Sequence, residues 1–307
     1  MLALDYLMEE GPGWRHALAL FLFRVQNPAL TRNAVSVMLD HSVMSLADAA
    51  ETVNVCREFT GRGSYGWYLE EIPKLKSFGE TETWKQNNLL AIPTVSILSA
   101  IGRLKLYSYR EFEWEEFRRN IWTIWNLLMD CKIEKLDSPL ERSFFMGGDV
   151  FWYSNKETFE GFIEKIIKQT DKEIENIVEF LKNYYNVCFY GKNNIFSLRA
   201  LCKYAQKKHY PDLFHIWVCC VYGIDYFVTA DKKIINYINE TLPENERRNL
   251  SVYVLGANSL IKEIGIRKPW PLPRNRGQFR FHRNCVLLGN TKKANKGSIE
   301  IKPETRP

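Results

Sequence analysis

The stretch "DLFHIWVCCVYGIDYFVTAD", residues 212 to 231, carries an aspartate at each end of an almost continuous apolar run. From Phe214 to Val228 the run is too short to span a bilayer as a helix, and His215, Gly223 and Asp225 interrupt it. It reads as a buried helix over Leu213 to Tyr222, a turn at Gly223 and a buried strand over Tyr226 to Val228. Asp212 then opens the helix and Asp231 lies just past the strand. A strand-and-helix layout brings both carboxylates to one edge of a sheet.

The rest of the chain alternates in the same way. "AVSVML", 34 to 39, is a buried strand ended by Asp40; "LKLYS", 104 to 108, and "LSVYVL", 250 to 255, are two more. "SLADAAETVNVCREF" reads as a helix, with Ser45 and Asp48 spaced as a capping box. Further helix is expected over 67 to 77, 94 to 102 and about 110 to 130, the last burying Phe117, Ile121, Ile124, Trp125 and Leu128 at helical spacing. Residues 131 to 156 read as irregular. "TFEGFIEKIIKQTDKEIENIVEFLKNYY" gives one broken or two consecutive amphipathic helices, and "IFSLRALCKYAQKK" another. A short helix over 232 to 240 and the helix "NSLIKEIG" follow. Four short apolar strands separated by helices imply an α/β fold with a parallel sheet. The expected organisation is a helical extension over 1 to 32, a main domain over 33 to 266 with a helical insert over about 131 to 208, and a tail over 267 to 307.

Charge is unevenly placed. From Lys268 onward ten Lys/Arg stand against Glu300 and Glu304, a balance of 10 − 2 = +8. The whole chain carries +6, so residues 1 to 267 come to 6 − 8 = −2. The tail is basic and the body is not. It is Pro-, Gly- and Lys-rich and reads as mobile beyond Pro269, although "FRFHRNCVLL" can dock as an extra strand. Its Arg274, Arg276, Arg280, Arg283, Lys292 and Lys293 are the candidate nucleic-acid contacts. The N-terminus has acids where a secretory signal needs bases, and no transmembrane run occurs. Seven cysteines with no CxxC pair read as reduced core thiols in a cytoplasmic protein.

"GRGSYG", 61 to 66, fits the dinucleotide fingerprint in letters. That motif works only where a strand turns into a helix, so that helix amides face a pyrophosphate. The residues before it read as helical, which makes it a helix–helix loop.

The acids form the stronger constellation. If strands 35–39 and 226–228 are parallel neighbours, Asp40 and Asp231 meet at the rim where open α/β sheets place their sites. Asp212 approaches from the start of its helix. Carboxylates roughly 5 Å apart repel by about 3 kcal/mol per pair at an effective dielectric near 20. Such a cluster needs a cation, a shared proton or water, and oxygen ligands without nearby cysteine favour Mg²⁺ or Mn²⁺ over zinc. Each acid also has a structural reading: Asp212 and Asp231 as helix N-caps, Asp40 as a strand end.

This arrangement, "D-x-x-H-I-x(8)-D-Y-F-V-T-x-D", resembles the C-terminal half of the PIN-domain nucleases. "VSVMLDHSVM" is similar to their first strand, with His41 in place of a small hydroxyl residue and Ser42 where Asn is commonest; "LSVYVLGANSLIKEIG" is similar to their last strand and helix. The resemblance implies a three-layer fold and a fourth acid on the helix after the second strand. "YREFEWEEF" offers Glu111, Glu113, Glu115 and Glu116, of which Glu113 shares a face with Phe117 and Glu116 is the second choice. Acids also belong in a helix's first turn for dipole reasons. Thr229, two residues before Asp231, can hydrogen-bond a metal-bound water or an acid, or serve simply as a strand residue. His215 reads as core or as support for the site.

The function that the resemblance implies is metal-dependent hydrolysis of phosphodiester bonds by Asp40, Glu113, Asp212 and Asp231. Single-stranded RNA is the first substrate class and DNA the second. Tyr109 and Trp114 are candidates for stacking unpaired bases. The alternative is a catalytically inactive PIN-like module that binds RNA or a protein partner. The helical additions offer a surface for such a partner or for a second copy, and no membrane association is expected.

Overall fold

The computed structural model describes residues 13–30, 33–61, 64–76, 78–109, 111–112, 126–128, 131–140, 156–170, 172–176, 179, 193–270, 279–281 and 285–287. For 13–17, 19, 50–75, 156–158, 193–196, 279–281 and 285–287 the description is of the backbone alone. Among the described residues, helix α1 (Gly13–Gln26) comes first, then strand β1 (Val35–Leu39), helix α2 (His41–Ala47) and strands β2 (Ala50–Gly61) and β3 (Ser64–Leu75). Helix α3 (Thr83–Ala100), strands β4 (Leu104–Tyr109) and β5 (Ile133–Leu136), and helices α4 (Lys156–Lys168), α5 (Asn193–Cys202) and α6 (Tyr210–Tyr222) follow. The last described elements are strand β6 (Tyr226–Val228), helices α7 (Lys232–Asn236) and α8 (Glu244–Arg248), strand β7 (Tyr253–Leu255), helix α9 (Ala257–Glu263) and strands β8 (Phe279–Phe281) and β9 (Cys285–Leu287).

Five strands form one all-parallel sheet in the order β5-β4-β1-β6-β7. Alternation along each strand sorts its side chains to two faces. Val37, Leu39, Leu104, Leu106 and Val228 join Leu89, Ile92 and Val95 of α3 and Leu260 of α9 in one core. Met38, Tyr109, Phe227 and Val254 join Phe162 and Ile163 of α4, Leu201 of α5 and Phe214, Trp217 and Val218 of α6 in the other. The molecule is thus a three-layer α/β fold with the sheet in the middle. A parallel sheet of this kind is covered on both sides, which is why its strands read as nearly continuous apolar runs. No described helix is long and apolar enough to cross a membrane.

The opening stretch folds as its pattern predicts, with one shift. Helix α6 starts at Tyr210 with Pro211 in its first turn, so His209 is the N-cap and Asp212 lies in the first turn. Residues Leu213 to Cys219 are all buried because α6 lies between the sheet and α4 and α5. Gly223 ends the helix in the left-handed region (φ 62°), and the Ile224 amide donates to the Cys219 carbonyl at 2.9 Å.

Several expected elements differ. The helix read over 45 to 59 stops at Ala47, and the helix read over 67 to 77 is a strand; together β2 and β3 make a 12-residue antiparallel ribbon. β-Branched and aromatic residues in period two ("TVNVCREFT", "YGWYLEEI") favour a strand once each has a partner to pair with. "GRGSYG" therefore closes a hairpin, with Gly61 paired to Ser64, and is not a helix–helix loop. Strand β5 lies in the segment read as irregular and within the expected helical insert; its "IEKL" has only partly buried apolar ends because it is the sheet edge. Helix α3 begins at Thr83, earlier than expected. The helix expected over 110 to 130 has ended by Asn126, which pairs with Asp48 in an isolated bridge. Residues 113 to 125, including Glu113, Trp114, Glu115, Glu116 and Phe117, lie outside the described residues. "FRFHRNCVLL" forms its own hairpin, β8 with β9, and does not join the main sheet. Arg280 pairs with Val286 in that hairpin by its backbone; Arg274, Arg276, Arg283, Lys292 and Lys293 lie outside the described residues.

The two ends of the described domain are tied together. Buried Asn27 accepts from the Arg267 and Lys268 amides at 2.8 and 2.9 Å and donates to the Phe23 and Lys268 carbonyls. Phe23 meets Trp270 edge-on at 5.5 Å, and the Trp270 amide donates to Thr94. The chain is therefore docked through Trp270, one residue past the point where the tail was expected to leave.

Candidate active site

Strands β1 and β6 are hydrogen-bonded neighbours, with Leu39 opposite Val228. From β1 the sheet grows outward through β4 and β5; from β6 it grows the other way through β7. The loop after β1 leads into α2, whose Val43 and Met44 enter one core. The loop after β6 leads into α7, whose Ile234 enters the other. The two loops lead to opposite faces of the sheet, so its carboxyl end carries the topological switch point where such folds place their sites.

Asp40 and Thr229 are the first residues beyond these strands, and they touch. The Thr229 hydroxyl donates to Asp40 Oδ2 at 2.7 Å, and the Ser42 hydroxyl donates to the same oxygen. Each hydroxyl in turn accepts a backbone N–H: Ser42 from Ala230 at 2.9 Å, Thr229 from Asp231 at 3.0 Å. Two amides feed two hydroxyls, and two hydroxyls feed one carboxylate, an arrangement suited to ionised Asp40. Against this, Asp40 is only 6% exposed. Burial is the largest influence and raises its pKa above the ordinary 3.8, with the Ser42 and Thr229 bonds opposing it.

Asp231 is the N-cap of α7, and its Oδ1 accepts from the Lys233 amide at 2.7 Å. The capping role is thus a fact of the structure; no described group bonds Oδ2. Asp40, by contrast, precedes α2 without capping it through its side chain. Asp212 is partly exposed and pairs with His209 at 4.0 Å. Thr229 links the Asp40 carboxylate to the backbone amide of Asp231, while the Asp231 carboxylate is engaged by the Lys233 amide. Among the described residues, no three histidines, cysteines or acids gather into a metal-holding group. Glu111 is buried at 5% exposure, while Glu113 and Glu116 lie outside the described residues.

Two aromatic and imidazole expectations resolve into packing. His215 is 1% exposed, with its Nδ1 against the Tyr109 hydroxyl and its ring 4.3 Å from that of Phe112. Tyr109 is fully buried in the same cluster, so it offers no face to a base.

Three residues at the rim escaped the sequence reading. Trp84 of α3 donates its indole N–H to the Ala230 carbonyl at 3.0 Å, between Thr229 and Asp231. Asn88, one turn on, accepts from the Asn258 amide at 3.1 Å. Gly256 lies beneath both: a Cβ there would stand 2.6 Å from Asn88 Oδ1 and 2.7 Å from Trp84 Cη2. Helix α3 therefore clamps the loops after β6 and β7 together. Nothing local signals this, since Trp84 and Ala230 are 146 residues apart.

No protein-family model, curated protein or solved structure matches this chain.

Proposed function

We propose that this protein is a PIN-like, metal-dependent nuclease that hydrolyses phosphodiester bonds of single-stranded RNA. The observation that carries the reading is the Asp40–Thr229–Asp231 network at the carboxyl ends of β1 and β6. The donor chemistry fits a hard divalent cation: carboxylate oxygens, one of them on a buried group whose proton affinity is raised, the other without a bond on Oδ2. Asp40 and Asp231 would hold Mg²⁺ or Mn²⁺, joined by the glutamate read at Glu113 or Glu116; the expected third aspartate, Asp212, does not gather with them. A cation bound there supplies the acidified water and the positive charge that phosphodiester hydrolysis needs. The protein's own part is positional. Thr229 and Ser42 fix Asp40, the Lys233 amide fixes Asp231, and Trp84 holds the loop between them.

A second reading rests on one observation. Two hydroxyls already serve Asp40 within the protein, so the network is complete without a metal. On that reading the chain is a catalytically inactive PIN-like module that binds RNA or a protein partner.

Asp231→Asn separates the two. Asparagine is an equally good N-cap for the Lys233 amide, so the fold is kept. The wild type should gain thermal stability in millimolar Mg²⁺ or Mn²⁺, by about 2.7 kcal/mol at a hundred times Kd. The variant should gain much less and should not cleave single-stranded RNA. Identical melts with cleavage retained would overturn the site; identical melts with neither protein cleaving would favour the binding module.

A further inference from the structure

The segment joining α5 to α6 sets lysines before and after an exposed ring in sequence. Lys203, Tyr204, Gln206, Lys207 and Lys208 are all exposed, Tyr204 by 48%. The Lys203 ammonium stands 5.3 Å from the centre of the Tyr204 ring. Lys207 and Lys168 share Glu164, each at 2.5 Å, and their two charges hold its carboxyl down to about 2. Lys203 and Lys208 have no acid within ion-pair distance among the described residues. From 203 to 208 the chain carries three lysines and no acid, and Glu164 of α4 offsets Lys207. This local excess stands on a body that is slightly acidic outside its tail. The segment then runs through His209 directly into the first turn of α6, where Asp212 lies.

We propose that Lys203–Lys208 is a docking strip for single-stranded nucleic acid, its phosphates on Lys203 and Lys208 and an unpaired base on Tyr204. The strip leads toward Asp212, so its purpose rests on the nuclease reading, but its binding chemistry does not. A half-exposed ring beside ammonium groups suits a strand whose bases are free to stack. A duplex keeps its bases stacked inside, and a lipid surface would need an apolar face beside the cations, which the polar neighbours here do not supply.

The test is fluorescence anisotropy of a labelled, mixed-sequence single-stranded RNA 12-mer with the full chain in EDTA, so that no cleavage occurs. Lys203→Ala with Lys208→Ala should weaken binding by about tenfold and flatten the slope of log affinity against log salt by roughly 1.4, about 0.7 for each of two phosphates. Tyr204→Ala should weaken binding by at least about fivefold with the slope unchanged. These side chains are on the surface, and thermal melts of the variants check that the fold is kept. Wild-type affinity and slope in every variant would overturn the strip. So would unchanged RNA binding accompanied by lost binding to anionic phosphatidylserine vesicles. A protein that cleaves but ignores these substitutions discards the strip alone. One that fails the Asp231→Asn test yet loses affinity here keeps the strip and discards the nuclease reading.

Discussion

Asp40 stands between opposing influences. Burial disfavours its charge, while the Ser42 and Thr229 hydroxyls favour it, and burial is the larger. A carboxyl whose folded pKa is raised stabilises the fold fully below its unfolded value near 3.8 and loses that contribution as pH rises through the folded value. In EDTA, Asp40→Asn should therefore melt progressively higher relative to the wild type as pH rises from below 3.8 to neutrality. Melting curves across that range check it; a difference that does not vary with pH would show that burial exerts no net pull on Asp40. The place of the aspartate at a strand end was legible in the sequence; taken singly it also read as a plain strand end, and only its joint placement with Asp231 pointed to a site. Its partners were only half legible. Thr229 stood out by its spacing from Asp231, whereas Ser42 read merely as a departure from a pattern.

Among the elements, α3 has the least predictable role. Its Trp84 and Asn88 reach the loops after β6 and β7, and Gly256 makes room for them. Gly256→Ala puts a methyl group inside the indole and the Asn88 amide, and should cost about 1–3 kcal/mol, as overpacking does. The displaced indole should also lose its bond to the Ala230 carbonyl, changing tryptophan fluorescence and loosening Asp231. Urea melts read the first effect and native emission spectra the second; wild-type values in both would show that the clamp yields at no cost. The strands misread from sequence share one cause. β2, β3 and β5 carry polar or mixed residues whose strand character depends on a partner. Period and propensity are local, but pairing is not.

Across the whole molecule, the N-terminal helix and the last described residues of the domain close on each other through Asn27. Removing its side chain in Asn27→Ala takes away the acceptor of the Arg267 and Lys268 amides at a partly buried place. The expected loss is roughly 2 kcal/mol, about 1 for each of the two bonds. A urea midpoint that falls without a change in slope checks it, and an unmoved midpoint would mean that water serves those amides instead. This closure also limits any deletion meant to isolate the basic tail. Such a cut must spare Trp270, which packs on Phe23 and donates its amide to Thr94.

The sequence by itself determined the parallel α/β layering, the α6–Gly223–β6 unit and the positions of Asp40 and Asp231 at strand ends. Each follows from local hydrophobic period, a left-handed turn that suits glycine, and the cost of burying an acid within an apolar run. Tertiary structure alone decided which strands are neighbours and which hydroxyls meet Asp40. It also decided that α3 holds the rim and that His215 and Tyr109 satisfy each other inside the core. Those outcomes depend on groups more than a hundred residues apart competing for the same buried space. No window of sequence contains both competitors.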